Sequence, residues 1–215
     1  MHKKIAGLNS LEGVSVVDHK FFITSQMNRE EKNTALEILY QQYKNCQQCP
    51  LALLGRSTIV FGSGNVMSKI IFIGEGPGND EDLQGLPFVG KSGKLLTKML
   101  SIAGIDRNNV FITNIVKCRP PHNRKPTEQE AQTCKDLILL KQIEIIKPTV
   151  LCTLGSVSLN YITNSNEKIT VARGRIATWN NIALVPTFHP AYILRNPAAL
   201  HLCIEDLIKV ASLTQ

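Results

Sequence analysis

Residues 69–78 read KIIFIGEGPG, a lysine and four apolar residues, three of them isoleucine, running straight into a glycine-rich turn that carries an acid. An unbroken run of β-branched and aromatic residues, with no alternation of polar and apolar positions, predicts a strand buried on both faces, as in a parallel sheet. Outward along the chain, VFITNIV (110–116), TVLCTL (149–154) and IALVPTF (182–188) repeat that character. Apolar residues at helical spacing fall between and after them, over 91–103, over 127–146 with Glu130 three residues beyond Thr127 in a capping-box pattern, and over 198–212. A further helix is predicted from Asn28 along REEKNTALEILYQQYKNC, whose acids cluster in its first turn. Strands alternating with helices predict an α/β fold, a three-layer αβα sandwich around a central, mostly parallel four-stranded sheet. Residues 1–28 show no sustained period and read as a poorly defined N-terminal arm. Residues 29–215 read as a single domain, a size that 43% apolar residues can supply with one core.

Lysine and arginine outnumber aspartate and glutamate by 24 to 17, giving a net charge of +7. That balance favours a polyanionic partner such as nucleic acid. No apolar stretch approaches the roughly 20 residues that span a bilayer, so no membrane role is expected. Glu12, Asp18, His19 and Lys20 interrupt what would be the apolar core of a secretory signal, so the expected location is cytoplasmic. In a reducing compartment the six cysteines are expected as thiols, metal ligands or core residues.

Each conspicuous polar motif follows a strand. GEGPG ends the first, Asn114 ends the second, Gly155 and Ser156 follow the third, and His189 and Pro190 follow the fourth. Loops beyond the carboxyl ends of strands form the ligand crevice of an open α/β sheet, so four motifs converge on one site. GEGPG lacks the spacing of a dinucleotide loop, and Pro77 removes a backbone donor. The acids around it, Glu75, Asp80, Glu81 and Asp82, suit a crevice that positions a water, although spacing does not choose among them. Phe88 in QGLPFVGKSG reads either as a core plug or as a stacking platform for a base. Asn114 reads either as a loop cap or as a carboxamide that donates to one atom of a pyrimidine edge and accepts from the next. His189 reads either as a satisfied buried histidine or as a donor to an oxygen gaining charge. The proline-rich basic loop 117–127, with Arg119, Arg124 and Lys125, and Arg195 beyond it, reads either as solvated charge or as a phosphate clamp.

Cys46 and Cys49 form a CxxC half-site, while Cys118 and Cys134 lie far downstream. This favours four thiolate ligands, but the spacing fits neither a zinc ribbon nor a ferredoxin run and does not choose the metal. Cys152 and Cys203 fall on apolar faces and read as buried small hydrophobes.

Together these blocks resemble the family 4, iron-sulfur uracil-DNA glycosylases of the uracil-DNA glycosylase superfamily. The resemblance runs through CQQCPL (46–51), VFGSGN (60–65), IIFIGEGPGNDEDLQGLPFVGKSG (70–93), FITNIVKCRPPHNRKPTEQEAQTC (111–134), TLGS (153–156) and FHPAYILRNP (188–197). It implies that Cys46, Cys49, Cys118 and Cys134 hold a structural [4Fe-4S] cluster that ties the N-terminal helix to the basic loop. It implies that Phe88 stacks on a flipped uracil and that Asn114 reads its O4/N3 edge, with Gly74 and Gly76 in the same substrate pocket. Glu75 and Glu81 fall where the family has acids linked to catalysis or water placement, Asn123 falls at a polar position of the catalytic loop, and His189 faces uracil O2. Asn79 departs from the acid that many relatives carry there. A sister group whose histidine captures the sugar carries an added basic loop near that histidine, and residues 190–197 show no such insertion.

The resemblance thus implies a hydrolase in base excision repair that removes uracil from single- and double-stranded DNA and leaves an abasic site. The motifs offer no obvious amine nucleophile for strand cutting, so it is expected to be monofunctional, and a monomer is the default for an enzyme that embraces DNA. Two rivals make different forecasts. A non-catalytic DNA-binding module with zinc on the four cysteines is colourless and releases no base. An enzyme acting on free nucleosides has no use for the basic loop.

Overall fold

The computed structural model describes residues 27–214. The arm expected over 1–28 falls almost wholly outside the described residues. Six strands form one mixed sheet: β1 (Ser63–Gly64), β2 (Ile70–Gly74), β3 (Phe111–Asn114), β4 (Val150–Leu154), β5 (Ala177–Trp179) and β6 (Ile182–Thr187). Their order is β1-β3-β2-β4-β6-β5. The inner four, β3-β2-β4-β6, pair in parallel. These are the four strands predicted from the sequence. The count of four is corrected to six, because β1 and β5 add antiparallel edges. Both edge strands are two or three residues long, too short to carry a periodic signal, and β1 ends in a glycine.

The α-helices are α1 (Arg29–Tyr43), α2 (Asn79–Gln84), α3 (Lys91–Ile102), α4 (Glu128–Cys134), α5 (Leu140–Ile146), α6 (Ser156–Thr163), α7 (Ile169–Ala172), α8 (Pro190–Arg195) and α9 (Leu200–Ser212). The single helix predicted over 127–146 is α4 and α5 joined by a π-helical turn at Lys135–Leu139. Its capping box is as read: Thr127 Oγ1 accepts the Glu130 N–H while the Glu130 carboxylate accepts the Thr127 N–H. Asn28 and Glu31 make the same reciprocal cap on α1.

Strand alternation divides the interior. Ile71, Ile73, Leu151 and Leu184 pack on one face with α1, α5 and α6, and Phe72, Cys152, Leu154 and Val185 pack on the other with α3 and α9. The central strands are buried along their whole length, as their unbroken apolar runs require. The chain therefore forms the three layers expected. No helix among the described residues is long and apolar enough to cross a membrane.

One buried ion pair fixes the last layer. Asp206 on α9 is fully buried and accepts from Arg173 Nε at 2.9 Å, from Arg173 Nη2 and from Thr187 Oγ1 at 2.7 Å. It thereby joins the chain just after α7 to the end of β6, two residues before His189. Removing one partner of a buried pair strands the other charge. Asp206→Ala is therefore expected to lower unfolding free energy in urea by about 3–5 kcal/mol; a loss below about 1 kcal/mol, the range of exposed pairs, contradicts this.

Candidate active site

A crevice of about 590 Å³ lies at the carboxyl ends of the parallel strands. Its lining includes Glu75, Gly76, Glu81, Phe88, Asn114, Asn123, Arg124, Lys125, His189 and Arg195. Ten of the sequence-derived positions thus share one cavity, as strand-end placement requires. Gly74 and Arg119 are not part of its wall. Gly74 instead stands opposite Asn114 in the β2–β3 register, and a Cβ there would press on Asn114 Oδ1 and come within 2.6 Å of Phe88 Cζ. Its missing side chain is what allows the carboxamide and the ring to meet.

Asn114 is buried, and its Oδ1 has no hydrogen-bond partner among the described residues. An orphan acceptor of this kind costs free energy unless a ligand donor satisfies it. Its backbone is held from behind, where the fully buried Lys117 Nζ donates to the Asn114 carbonyl at 2.8 Å, to Thr113 Oγ1 and to Gln142 Oε1. Phe88 lies with its ring 5.7 Å from that of His189.

His189 opens to the crevice on one side and is enclosed on the others. Burial, and secondarily Arg195, push its pKa down to about 4. Its Nδ1 accepts the Ala191 N–H at 3.1 Å at the start of α8. The neutral ring therefore carries its proton on Nε2, which leaves an N–H donor at the crevice wall.

The four acids separate by their partners. Glu81 Oε1 accepts from the backbone N–H of Val89 and Gly90 at 2.9 and 2.8 Å, and its Oε2 from Gly78 at 3.1 Å. Asp82 is buried and accepts from the Ser57 and Thr58 N–H groups. Asp80 is exposed. Glu75 alone is half-buried in the crevice with no hydrogen bond to its carboxylate among the described residues. Burial raises its pKa, against a smaller opposing pull from Lys125.

The basic loop is partly committed to itself. Arg124 forms a two-pronged ion pair with buried Glu130. Arg119 donates to Asn123 Oδ1 at 2.9 Å and Asn79 Oδ1 at 2.7 Å. Lys125 and Arg195 are exposed on the rim. His122 and Asn123 both have positive φ, 52° and 54°, in the 3-10 turn Pro121–Asn123, a sparsely populated backbone region that is often found at functional sites. Sequence reading missed Ser92, Ile169, Thr170 and Tyr192, which also line the crevice. Ile169 and Thr170 sit on the four-residue α7, which is too short to announce itself.

Cys46, Cys49, Cys118 and Cys134 are free thiols near enough to act on one another's ionisation. Burial raises Cys49 and Cys118 and pushes Cys134 up to about 12; neighbouring sulfurs add to each rise. Arg56 Nη1 donates to Cys118 Sγ at 2.9 Å and the Lys117 N–H to Cys134 Sγ at 3.3 Å. Four soft sulfurs with N–H donors around them fit a thiophilic metal group, whose charge offsets thiolate formation. Among the described residues, no group of three or more His, Cys, Asp or Glu stands at metal-binding spacing. Cys152 and Cys203 are buried, as read.

Residues 61–208 match the family model for the uracil DNA glycosylase superfamily. The chain is similar to the type-4 uracil-DNA glycosylase of Thermotoga maritima, at 44% identity over 82% of this chain and 93% of that protein. It is also similar to the type-4 uracil-DNA glycosylase of Saccharolobus solfataricus, at 44% identity over 81% of this chain and 84% of that protein. A DNA polymerase of Bacillus phage SP01 is 34% identical over 72% of this chain, which corresponds to 17% of the polymerase.

An ¹⁵N NMR titration is expected to show His189 neutral, protonated on Nε2, and titrating near about 4. Because the unfolded chain takes up this proton near 6.5, His189 supports stability fully above that pH, and the support is lost as pH falls towards about 4. A midpoint near 6.5 contradicts the assignment.

Proposed function

The chain belongs to the uracil DNA glycosylase superfamily, and from that premise we propose that it hydrolyses the N-glycosidic bond of uracil in DNA by a monofunctional route, with the crevice residues in the roles given below. The observation that carries the reading is the buried Asn114 Oδ1 beside Phe88, which has no hydrogen-bond partner among the described residues. In the proposed complex, Lys125 and Arg195 on the rim, with Arg119 and Arg124 behind them, draw in the phosphate backbone. The uracil nucleotide leaves the stack at a cost of a few kcal/mol. Phe88 stacks on its face. Asn114 accepts from N3–H and donates to O4, a pattern that cytosine mismatches at both atoms.

As the glycosidic bond stretches, charge gathers on uracil O2, and the Nε2–H of neutral His189 donates to it. A neutral donor strengthens as the charge develops and requires no proton to be taken from solvent. Glu75, the crevice acid whose carboxylate has no hydrogen-bond partner among the described residues, holds the water that attacks the sugar. Glu81 is already occupied by three backbone donors and serves to shape the loop. Asn123 fixes Arg119 at the crevice mouth. Products are free uracil and an abasic site.

Cys46, Cys49, Cys118 and Cys134 would hold a [4Fe-4S] cluster. When bound, it supplies a cross-link between the end of α1 and the basic loop, and hydrolysis itself is redox-neutral. We read the enzyme as a monomer of the cytoplasm acting on single- and double-stranded DNA.

The test is uracil release from single- and double-stranded oligonucleotides, followed by alkali. Strand scission only after alkali is expected for the wild-type enzyme. His189→Ala is expected to lose roughly 10²–10³-fold in single-turnover rate. Glu75→Gln is expected to lose a similar factor, and also the decline in rate on the acid side that protonation of a raised carboxylate imposes. Uracil left attached by the cluster-loaded wild-type protein overturns the reading.

A further inference from the structure

Phe88 is held in a conformation its own backbone resists. Its φ is 54°, a left-handed region that a bulky residue occupies only when its surroundings over-determine it. Those surroundings can be named. After Phe88, the Glu81 carboxylate holds the N–H groups of Val89 and Gly90. Before and at Phe88, Arg107 Nη2 donates to the carbonyls of Pro87 at 3.1 Å and Phe88 at 3.0 Å, and Arg107 Nη1 donates to Thr97 Oγ1 at 3.0 Å. Beneath it, Gly93 leaves the space that a Cβ would take from the Phe88 carbonyl.

Arg107 is an unusual member of this set. It stands on the 3-10 turn Arg107–Asn109 that leads into β3, and it does not line the crevice. The half-buried guanidinium pairs with no carboxylate among the described residues. Its hydrogen bonds go to two peptide carbonyls on the stretch that presents Phe88 and to a hydroxyl on α3, the helix that follows it. The same short segment, 107–114, thus ends in Asn114 and begins with a clamp on the backbone that carries the aromatic ring beside it.

We propose that Arg107 is a positioning residue for base recognition, fixing the Phe88 ring at the angle a flipped pyrimidine stacks on and doing so through the Pro87 and Phe88 carbonyls without touching the base. The inference rests on Phe88 being the stacking platform. A planar fork reaches two carbonyls and a hydroxyl at once, and an ammonium does not reproduce that geometry. Loosening the ring then raises the barrier, since small misplacements of a bound group cost much of its effect.

The experiment is a double-mutant cycle on the cluster-loaded enzyme, with single-turnover uracil release and the inhibition constant for free uracil as readouts. Arg107→Ala is expected to slow release roughly tenfold and to weaken uracil inhibition by a similar factor. Arg107→Lys, the variant that keeps the charge should the alanine form fail to fold, is expected to recover only part of both. In a Phe88→Ala background, either Arg107 substitution is expected to change both readouts by less than about twofold, because the group through which Arg107 acts is gone. Equal losses from Arg107 substitution in the two backgrounds assign it to general stability and overturn the proposal, as does a wild-type rate for the single Arg107 variants. A wild-type rate for Phe88→Ala alone overturns the stacking assignment instead, and the proposal with it.

Discussion

At the end of β2, Gly74 stands beside Asn114 of β3 in parallel register, and the rest of the site depends on that pairing. Parallel strands bring their carboxyl ends to one edge, so β2, β3, β4 and β6 deliver GEGPG, Asn114, Gly155 and His189 to the same crevice. The register fixes which residue faces which. The absent side chain at Gly74 then lets the Asn114 carboxamide and the Phe88 ring occupy one small space. A one-residue slip would turn Asn114 to the other face of the sheet and remove the base-reading edge altogether.

Around this pairing, several charged groups are held by partners while those the proposed chemistry uses face the crevice. Glu81 and Asp82 are consumed by backbone donors, and Arg124 by Glu130. Among the described residues, neither the Glu75 carboxylate nor the Asn114 oxygen has a hydrogen-bond partner, and the His189 ring keeps one donor free. Burial acts in opposite directions on two of these groups, raising the Glu75 carboxyl and lowering the His189 imidazole. Both shifts come from the same withdrawal of water, and both suit groups that act at a developing charge rather than at the surface.

Much of this was legible in the sequence because it is carried by runs and positions. The four buried strands announced themselves as unbroken apolar stretches, and the capping box at Thr127 and Glu130 by its spacing. The crevice followed from finding each polar motif just past a strand. Other features were not legible, for physical reasons. β1 and β5 are too short to show a period, and both pair only at the sheet edge. Which acid is free depends on tertiary donors such as the Val89 and Gly90 N–H groups, and the cluster of acids gives no hint of them. Arg107 is not legible, because nothing in the spacing of a lone loop arginine marks the carbonyls it reaches, which lie about twenty positions away in the loop before α3.

The central claim is that the Gly74–Asn114 pairing builds the uracil site, and Gly74→Ala tests it most directly. The added methyl is expected to leave the far-ultraviolet circular dichroism and the cluster absorbance unchanged. Single-turnover uracil release should fall by about a hundredfold, the cost of a misplacement of order 1 Å. A folded Gly74→Ala enzyme that releases uracil at the wild-type rate would contradict the account.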